Sequence, residues 1–454
     1  MSRESERLYD GVTQIEDDVI EAAQRPKRRR RALWMAPVAV VLALAILAGV
    51  LNGRGGLRAY AVAEAVYPEQ KERRGGNWDT FSQQAVTGFA AASIPRFLTG
   101  LGDENRIYSP INLYMGLSML AEVTDGETRA QVLSLLGAGD LSVQRQRAGL
   151  LWNSYYREGN GGKCLLANSL WMNQAVGYVQ ETLDTLAQDY YASSYAGQMG
   201  SAAYDKAIQS WIREQTGGRL QKQASGISTD PETLLMLVST VYFRGKWHAE
   251  FDRRDTAPQT FHAAAGDMTC DFMHKTRMAG MYYWAERFSA VSQYFRNGFT
   301  MWYILPDDGV TPAELLGDAQ ALAFMTGERE DIGHKNMYIN LAVPKFDVSS
   351  NLDLRDGLRA LGVRDVFDWE KADFSPMTRE IDEVYLSRAA QAARVTVDEE
   401  GCTAAAYVEF GLAAGAAAPP TDEVDFTLDR PFLFVISGPG ELPLFVGVVN
   451  RPVE

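Results

Sequence analysis

Histidine is nearly missing from this sequence, four in 454 residues, and cysteine is rarer still at three. His248, His262, His274 and His334 are scattered, with no pair at i, i+4, which excludes the metalloprotease helix pattern and leaves a structural role for each. Cys164, Cys270 and Cys402 are odd in number and far apart, so they form neither a metal-ligand spacing nor a disulfide framework, although one pair is compatible with them. There is no Gly-x-Ser-x-Gly elbow, no phosphate-binding glycine loop, no Gly-x-Gly-x-x-Gly and no internal repeat. Acid pairs such as Asp17-Asp18, Asp307-Asp308 and Glu399-Glu400 read as solvated faces or turns, so no enzyme is indicated. Positive charge is also in deficit. Residues 1–31 hold eight Lys/Arg and seven Asp/Glu, about +1 in a chain of net −14, so the remainder carries −15. An acidic body argues against nucleic acid as a partner.

What is present begins with a long apolar run. RPKRRRR (Arg25–Arg31) precedes ALWMAPVAVVLALAILAGVL (Ala32–Leu51), which has no charge and is long enough to cross a bilayer. The basic flank predicts a cytoplasmic tail over residues 1–31 and a membrane anchor over residues 32–51. The alternative is a cleaved secretory signal ending at Ala59–Ala61 or Ala61–Ala63, but a charged leader of thirty-one residues and Arg54 and Arg58 stand against it. Residues 52–76 read as a polar stalk. From residue 77 to 454 the chain is one large domain of hydrophobic and charged content ordinary for a globular protein. Ser109–Val123 predicts a Ser-capped helix with Pro at its first turn, and Gly126–Gly137 another closed by glycine. Thr233–Trp247 predicts a strand buried on both faces, and Phe426–Gly438 with Glu441–Pro452 a hairpin. The fold class is therefore α+β.

The stretch DEEGCTAAAYVEFGLAAGAAAPPTDEV (Asp398–Val424) has the composition of a linker and the pattern of a strand. Cys402, Ala404, Ala406, Val408, Phe410 and Leu412 form one wholly apolar set at period two, while Thr403, Ala405, Tyr407, Glu409, Gly411 and Ala413 form a mixed one. Acids and a glycine before it, and Ala413–Pro420 after it, look like exposed connection. Strand chemistry inside a loop context is what insertion into a waiting sheet would require.

Motifs spread in order over the chain from about Asn77 to Pro452 resemble those of the serpins. They are NRIYSPINLYMGLSMLAEVTDGETRAQVLSLLG (Asn105–Gly137), ANSLWMN (Ala167–Asn173), WIREQTGGRL (Trp211–Leu220) and LVSTVYFRGKWHAEF (Leu237–Phe251), followed by Val343–Met377 and Asp429–Pro452. VDEEGCTAAAY (Val397–Tyr407) falls on the hinge of the reactive loop. The resemblance implies a serpin fold, with a large, mostly antiparallel central sheet, packed helices and an exposed reactive loop. It also implies a metastable suicide-substrate inhibitor that traps a serine protease as a covalent acyl complex by loop insertion.

Carried onto this sequence, the loop hinge is Glu399, Glu400, Gly401, Cys402, Thr403, Ala404, Ala405 and Ala406. Counting forward from Gly401 places the reactive bond at Gly415-Ala416, within a window that also holds Leu412, Ala413, Ala414, Ala417 and Ala418. Small residues there, and no Lys or Arg between Glu400 and Pro420, imply an elastase-like or subtilisin-like target. Two departures stand out: Cys402 and Thr403 replace the usual Thr/Ser and Glu, and Tyr407 replaces a small residue. The polar cluster under the central strands falls on Ser109, Asn112, Ser239 and Gln391, with Ser and Asn exchanged and Gln in place of His. Trp247 is placed near the top of the sheet. No metal, no cofactor and no nucleic acid are implied; the partners are the protease and, through residues 32–51, the membrane, with a monomeric domain outside the cell. The alternatives are secretion after signal cleavage, a non-inhibitory surface protein of the same family, or inhibition of cysteine proteases.

Overall fold

Helices and strands are interspersed in the first half of the chain and strands predominate in the second, and the strands assemble into sheets against which helices pack. The computed structural model describes residues 59–68, 78–402 and 420–452, apart from 101, 160, 219, 382 and 383. In chain order, β1 (Tyr60–Ala63) precedes α1 (Thr80–Leu98), β2 (Arg106–Tyr108), α2 (Pro110–Val123), α3 (Gly126–Leu135) and α4 (Leu141–Tyr155). Next come β3 (Arg157–Gly159), β4 (Gly162–Asn173), α5 (Gln180–Asp189), β5 (Ala192–Gly197), α6 (Ala202–Gln215), α7 (Gln221–Ser225) and β6 (Leu235–Lys246). Five strands follow: β7 (Ala257–Ala263), β8 (Gly266–Trp284), β9 (Phe288–Tyr294), β10 (Thr300–Pro306) and β11 (Gly333–Pro344). The chain ends through β12 (Phe346–Asp353), β13 (Ala390–Val397), β14 (Gly401–Cys402), β15 (Glu423–Thr427), β16 (Phe432–Ser437) and β17 (Pro443–Val449).

One sheet runs β1-β5-β4-β6-β14, a second runs β15-β11-β8-β9-β10-β16-β17-β2, and β12 pairs with β13 alone. Ser109 caps α2 by accepting from the Asn112 amide, with Pro110 at the first turn, where a missing N–H costs nothing. Except for Gly116, α2 is buried along its length, because it lies beneath the strands as the spine of the main core. A second apolar cluster (Trp171, Tyr204, Ile208, Ile212 and Leu220) fills the space between α6 and the opposite face of β4 and β6.

The structure corrects two expectations. Within the expected stalk, the described residues 59–68 do not stay clear of the domain: Tyr60–Ala63 is a strand, antiparallel to β5 with Tyr60 opposite Ala196 and Ala61 opposite Tyr195. An extended run of small and β-favouring residues has found an open sheet edge to pair with. Nor is β6 buried on both faces; most of its residues are half-buried, and among the described residues β6 has β4 on one side and the two residues of β14 on the other. The segments 1–31 and 32–51, and Thr403–Ala418 with the expected reactive bond, lie outside the described residues. Among the described residues, no helix is long and apolar enough to cross a membrane.

Candidate functional site

The site is a slot in a sheet with a hinge at its top. β6 and β13 would be neighbours in a continuous sheet, yet among the described residues β13 pairs only with β12, and β6 only with β4 and β14. A cavity of about 180 Å³ opens between them, lined by Leu237 and Ser239 from β6, Gln391 from β13, Gly116 from α2, and Leu220 and Ala224 near α7. Its walls are largely apolar side chains beside strand edges that no described residue pairs with, an environment that a further strand would satisfy.

At the foot of the slot the structure brings Ser109, Asn112, Ser239 and Gln391 together. The Ser109 amide donates to Gln391 Oε1 at 2.7 Å, and Gln391 Nε2 donates to Ser109 O at 2.9 Å and to Asn112 Oδ1 at 3.2 Å. Asn112 Nδ2 donates to Ser239 Oγ at 2.8 Å, and Ser239 Oγ donates to Asn168 Oδ1 at 2.8 Å. The chain of hydrogen bonds therefore crosses the slot from β13 through α2 to β6 and on to β4. Gln391 is an adequate substitute for an imidazole here because its amide both donates and accepts. Asn168 was missed from the sequence; it sits inside the quoted ANSLWMN, but a single amide on a strand carries no local signal of its partner.

The hinge is built on Trp247, which is fully buried and stacked on Phe295 at 4.4 Å. Its indole Nε1 donates to Asp398 O at 3.0 Å and its amide to Glu400 O at 3.1 Å, while the Phe251 amide donates to Glu399 O at 3.0 Å. Asp398 Oδ1 accepts from the amides of Glu400 and Gly401, closing a tight turn, and burial pushes this carboxyl up. Gly401 has φ +139°, and a Cβ there would lie 2.2 Å from Gly245 O, so only glycine fits. Glu400 pairs with Arg253 at the surface. Glu399, only 6% exposed, accepts from Thr256 Oγ1 at 2.9 Å and pairs with Lys345 Nζ at 3.0 Å. Beyond the turn, Gly401 lies opposite Lys246 and Cys402 opposite Gly245, so the chain has started down the slot side of β6. The rest of the expected hinge, Thr403 to Ala406, lies outside the described residues.

Burial pushes the Glu399 carboxyl up, but the Lys345 and Thr256 hydrogen bonds outweigh it and hold the group below its ordinary value. A depressed folded value means stability that is present above the unfolded pKa and lost as pH falls through the folded one. The difference in thermal midpoint between the natural chain and Lys345→Met should therefore be constant from about pH 7 to 5 and shrink below about pH 4. A difference that persisted unchanged at acid pH would remove Glu399 as the partner that matters.

A cavity between two strands and a hinge paired to one of them stand where the resemblance to the serpins placed the central sheet and the start of the reactive loop. The serpin (serine protease inhibitor) family model matches residues 84–452, and the chain belongs to that family. It is 30% identical to Serpin B8 of Homo sapiens over 74% of this chain and 91% of that protein. It is 27% identical to Leukocyte elastase inhibitor A of Rattus norvegicus over 77% and 93%. Among solved structures, the native state of the thermophilic serpin tengpin superposes with TM-score 0.74 at 22% identity, covering 87% of this chain and all of that one.

Proposed function

We propose that this chain is a suicide-substrate inhibitor of extracellular serine proteases of elastase-like or subtilisin-like preference, held at the cell surface by residues 32–51. The observation that carries the reading is the register of β14 on β6. Extended without a slip, it sets Ala404 opposite Phe243, Ala406 opposite Val241, Val408 opposite Ser239, Phe410 opposite Leu237 and Leu412 opposite Leu235, where β6 ends. Directly opposed residues share a face. Leu235, Leu237, Val241 and Phe243 pack on the main core, whereas Met236 and Val238 pack on the α6 cluster. On insertion in that register the apolar set Cys402–Leu412 would face the core, and the mixed set would face α6.

The chemistry follows. The protease serine Oγ attacks the carbonyl carbon of Gly415, the Gly415-Ala416 bond breaks, and the freed Ala416 amine takes the proton and leaves. The acyl-enzyme ester remains on Gly415. Loss of the loop's second attachment lets residues 403–412 zip between β6 and β13 before water reaches the ester. The native form is then a kinetic trap, and its stability is a barrier height. The small residues around the bond suit a tight specificity pocket, and one relative is named as an elastase inhibitor.

Incubation with elastase-like, subtilisin-like and trypsin-like proteases tests the reading. The expected outcome is an SDS-resistant complex with the first two and release of a peptide beginning at Ala416, identified by mass. Cleavage without complex, and no rise in thermal stability afterwards, would overturn it.

A further inference from the structure

The strand β1 belongs to no part of the slot, and it precedes the family-matched region, which starts at residue 84. Its attachments are specific. Three of its residues, Tyr60, Ala61 and Ala63, lie opposite Ala196, Tyr195 and Ser194 of β5. The Ala65 amide donates to Ser193 Oγ at 3.1 Å and the Val66 amide to Ala187 O of α5 at 2.9 Å. The Tyr67 ring then stacks 5.5 Å from Trp152 and 6.2 Å from Tyr191, with Tyr156 at 6.5 Å.

The two sides of this contact differ in kind. Tyr60, Val62, Val66 and Tyr67 remain 37–57% exposed, so the segment is laid on the surface rather than built into the core. Trp152, Tyr191, Ala192 and Ala196 beneath it are buried, and the cup is firmly held. Trp152 Nε1 donates to Leu166 O of β4, Asn153 Nδ2 donates to the Tyr191 hydroxyl, and Tyr191 sits in the left-handed region at φ 52°. A rigid receptor and a thin, extended occupant are the two halves of a peptide-binding site of the strand-addition type.

We propose that the free edge of β5 and the Trp152–Tyr156–Tyr191 cup form a groove for an extended peptide with small or β-branched residues followed by an aromatic one. Residues 60–67 fill it in cis, and occupancy braces the half of the sheet that must move. The occupant ties β5 to α5 through Ala187 and to α4 through Trp152, and β5 connects through β4 and β6 to the hinge strand β14. An empty groove lets β5 shift against α4 and α5, so the β4–β6 half-sheet parts from β13 more easily. This second statement rests on the inhibitor reading; the groove itself does not.

The test uses the full chain with a site for a sequence-specific protease inserted between Gln70 and Gly75. After cutting, the two pieces are expected to co-elute at about 10 µM, and Tyr67→Ala or Val66→Pro, which removes the amide donated to Ala187, should release them. Added to the strap-free large piece, a synthetic peptide of residues 59–68 should raise its thermal midpoint saturably, and its Tyr67→Ala counterpart should need about ten-fold more. Pieces that part at once, with a peptide that leaves the midpoint unchanged, overturn the groove. In the uncut chain, Tyr67→Ala should shorten the half-life of inhibitory activity at elevated temperature by about ten-fold; an unchanged half-life overturns the brace while the groove stands on co-elution. Failure of the inhibitor reading would look different again, since there would be no activity to time.

Discussion

Ala406→Arg should convert this protein from an inhibitor into a substrate, whereas Ala405→Arg, one residue earlier, should leave most trapping intact. The register carried down from Gly401 and Cys402 puts residue 406 opposite Val241, on the face that meets the main core, and residue 405 opposite Tyr242, on the face toward α6. An unpaired guanidinium forced into the core costs about 3–5 kcal/mol. Insertion competes with hydrolysis of the acyl-enzyme, and each 1.4 kcal/mol is a factor of ten. Ala406→Arg should therefore lower the fraction of protease trapped by about a hundred-fold or more, with cleavage at the loop unimpaired. On the outer face a long side chain reaches water with its charged end. The measurement is the ratio of SDS-resistant complex to cleaved chain for both variants. Equal losses would show that the strand enters in another register, since a slip of one residue exchanges the faces.

Glu399→Lys should make the protein form chains of linked copies. The substitution replaces a nearly buried carboxylate, paired with Lys345 and bonded to Thr256, by a second cation facing the first. The pair then repels, the backbone bond from the Phe251 amide to Glu399 O is strained, and the turn that holds the loop at the slot's mouth loosens. Below Gly245, no described residue pairs with the slot edge of β6, and the same chain carries a segment patterned to fill it. A loop from one copy entering the slot of the next is a head-to-tail contact, which does not close and so propagates. Size-exclusion chromatography after gentle warming should show a ladder of multimers for Glu399→Lys while the natural chain stays a single species. A monomeric variant of unchanged thermal midpoint would show that the ion pair holds nothing.

The division between what the sequence disclosed and what it hid follows interaction range. A strand over Cys402–Leu412 could be expected because a period of two is a local pattern, and what it would mean came from motifs spread in family order. Ser109, Asn112, Ser239 and Gln391 came through that resemblance, and none would have been singled out from its own neighbourhood. Lys345 as the partner of Glu399, and Asn168 as the far end of the polar chain, were missed because contacts between segments far apart in sequence leave no trace in either one. β1 was hidden for a related reason. YAVA lies in a polar stretch, and only the open edge of β5, more than a hundred residues away, makes it a strand. The expectation of full burial for β6 failed because composition reports how apolar a strand is, not whether its neighbour is in place.

The slot is also a ruler. β6 contributes twelve residues, and at ~3.3 Å per residue it measures ~40 Å from the hinge end to Leu235. Under the proposed mechanism, a protease joined at Gly415 is displaced by at least that distance, roughly the width of a small domain. Its resting place is the far pole of the sheet, beside Leu235 and its partner Met172 and the turn after Asn173. Room for a whole second protein must therefore exist there, and a bulky attachment at that pole would stall the trap by obstruction, however well the loop itself fitted its place.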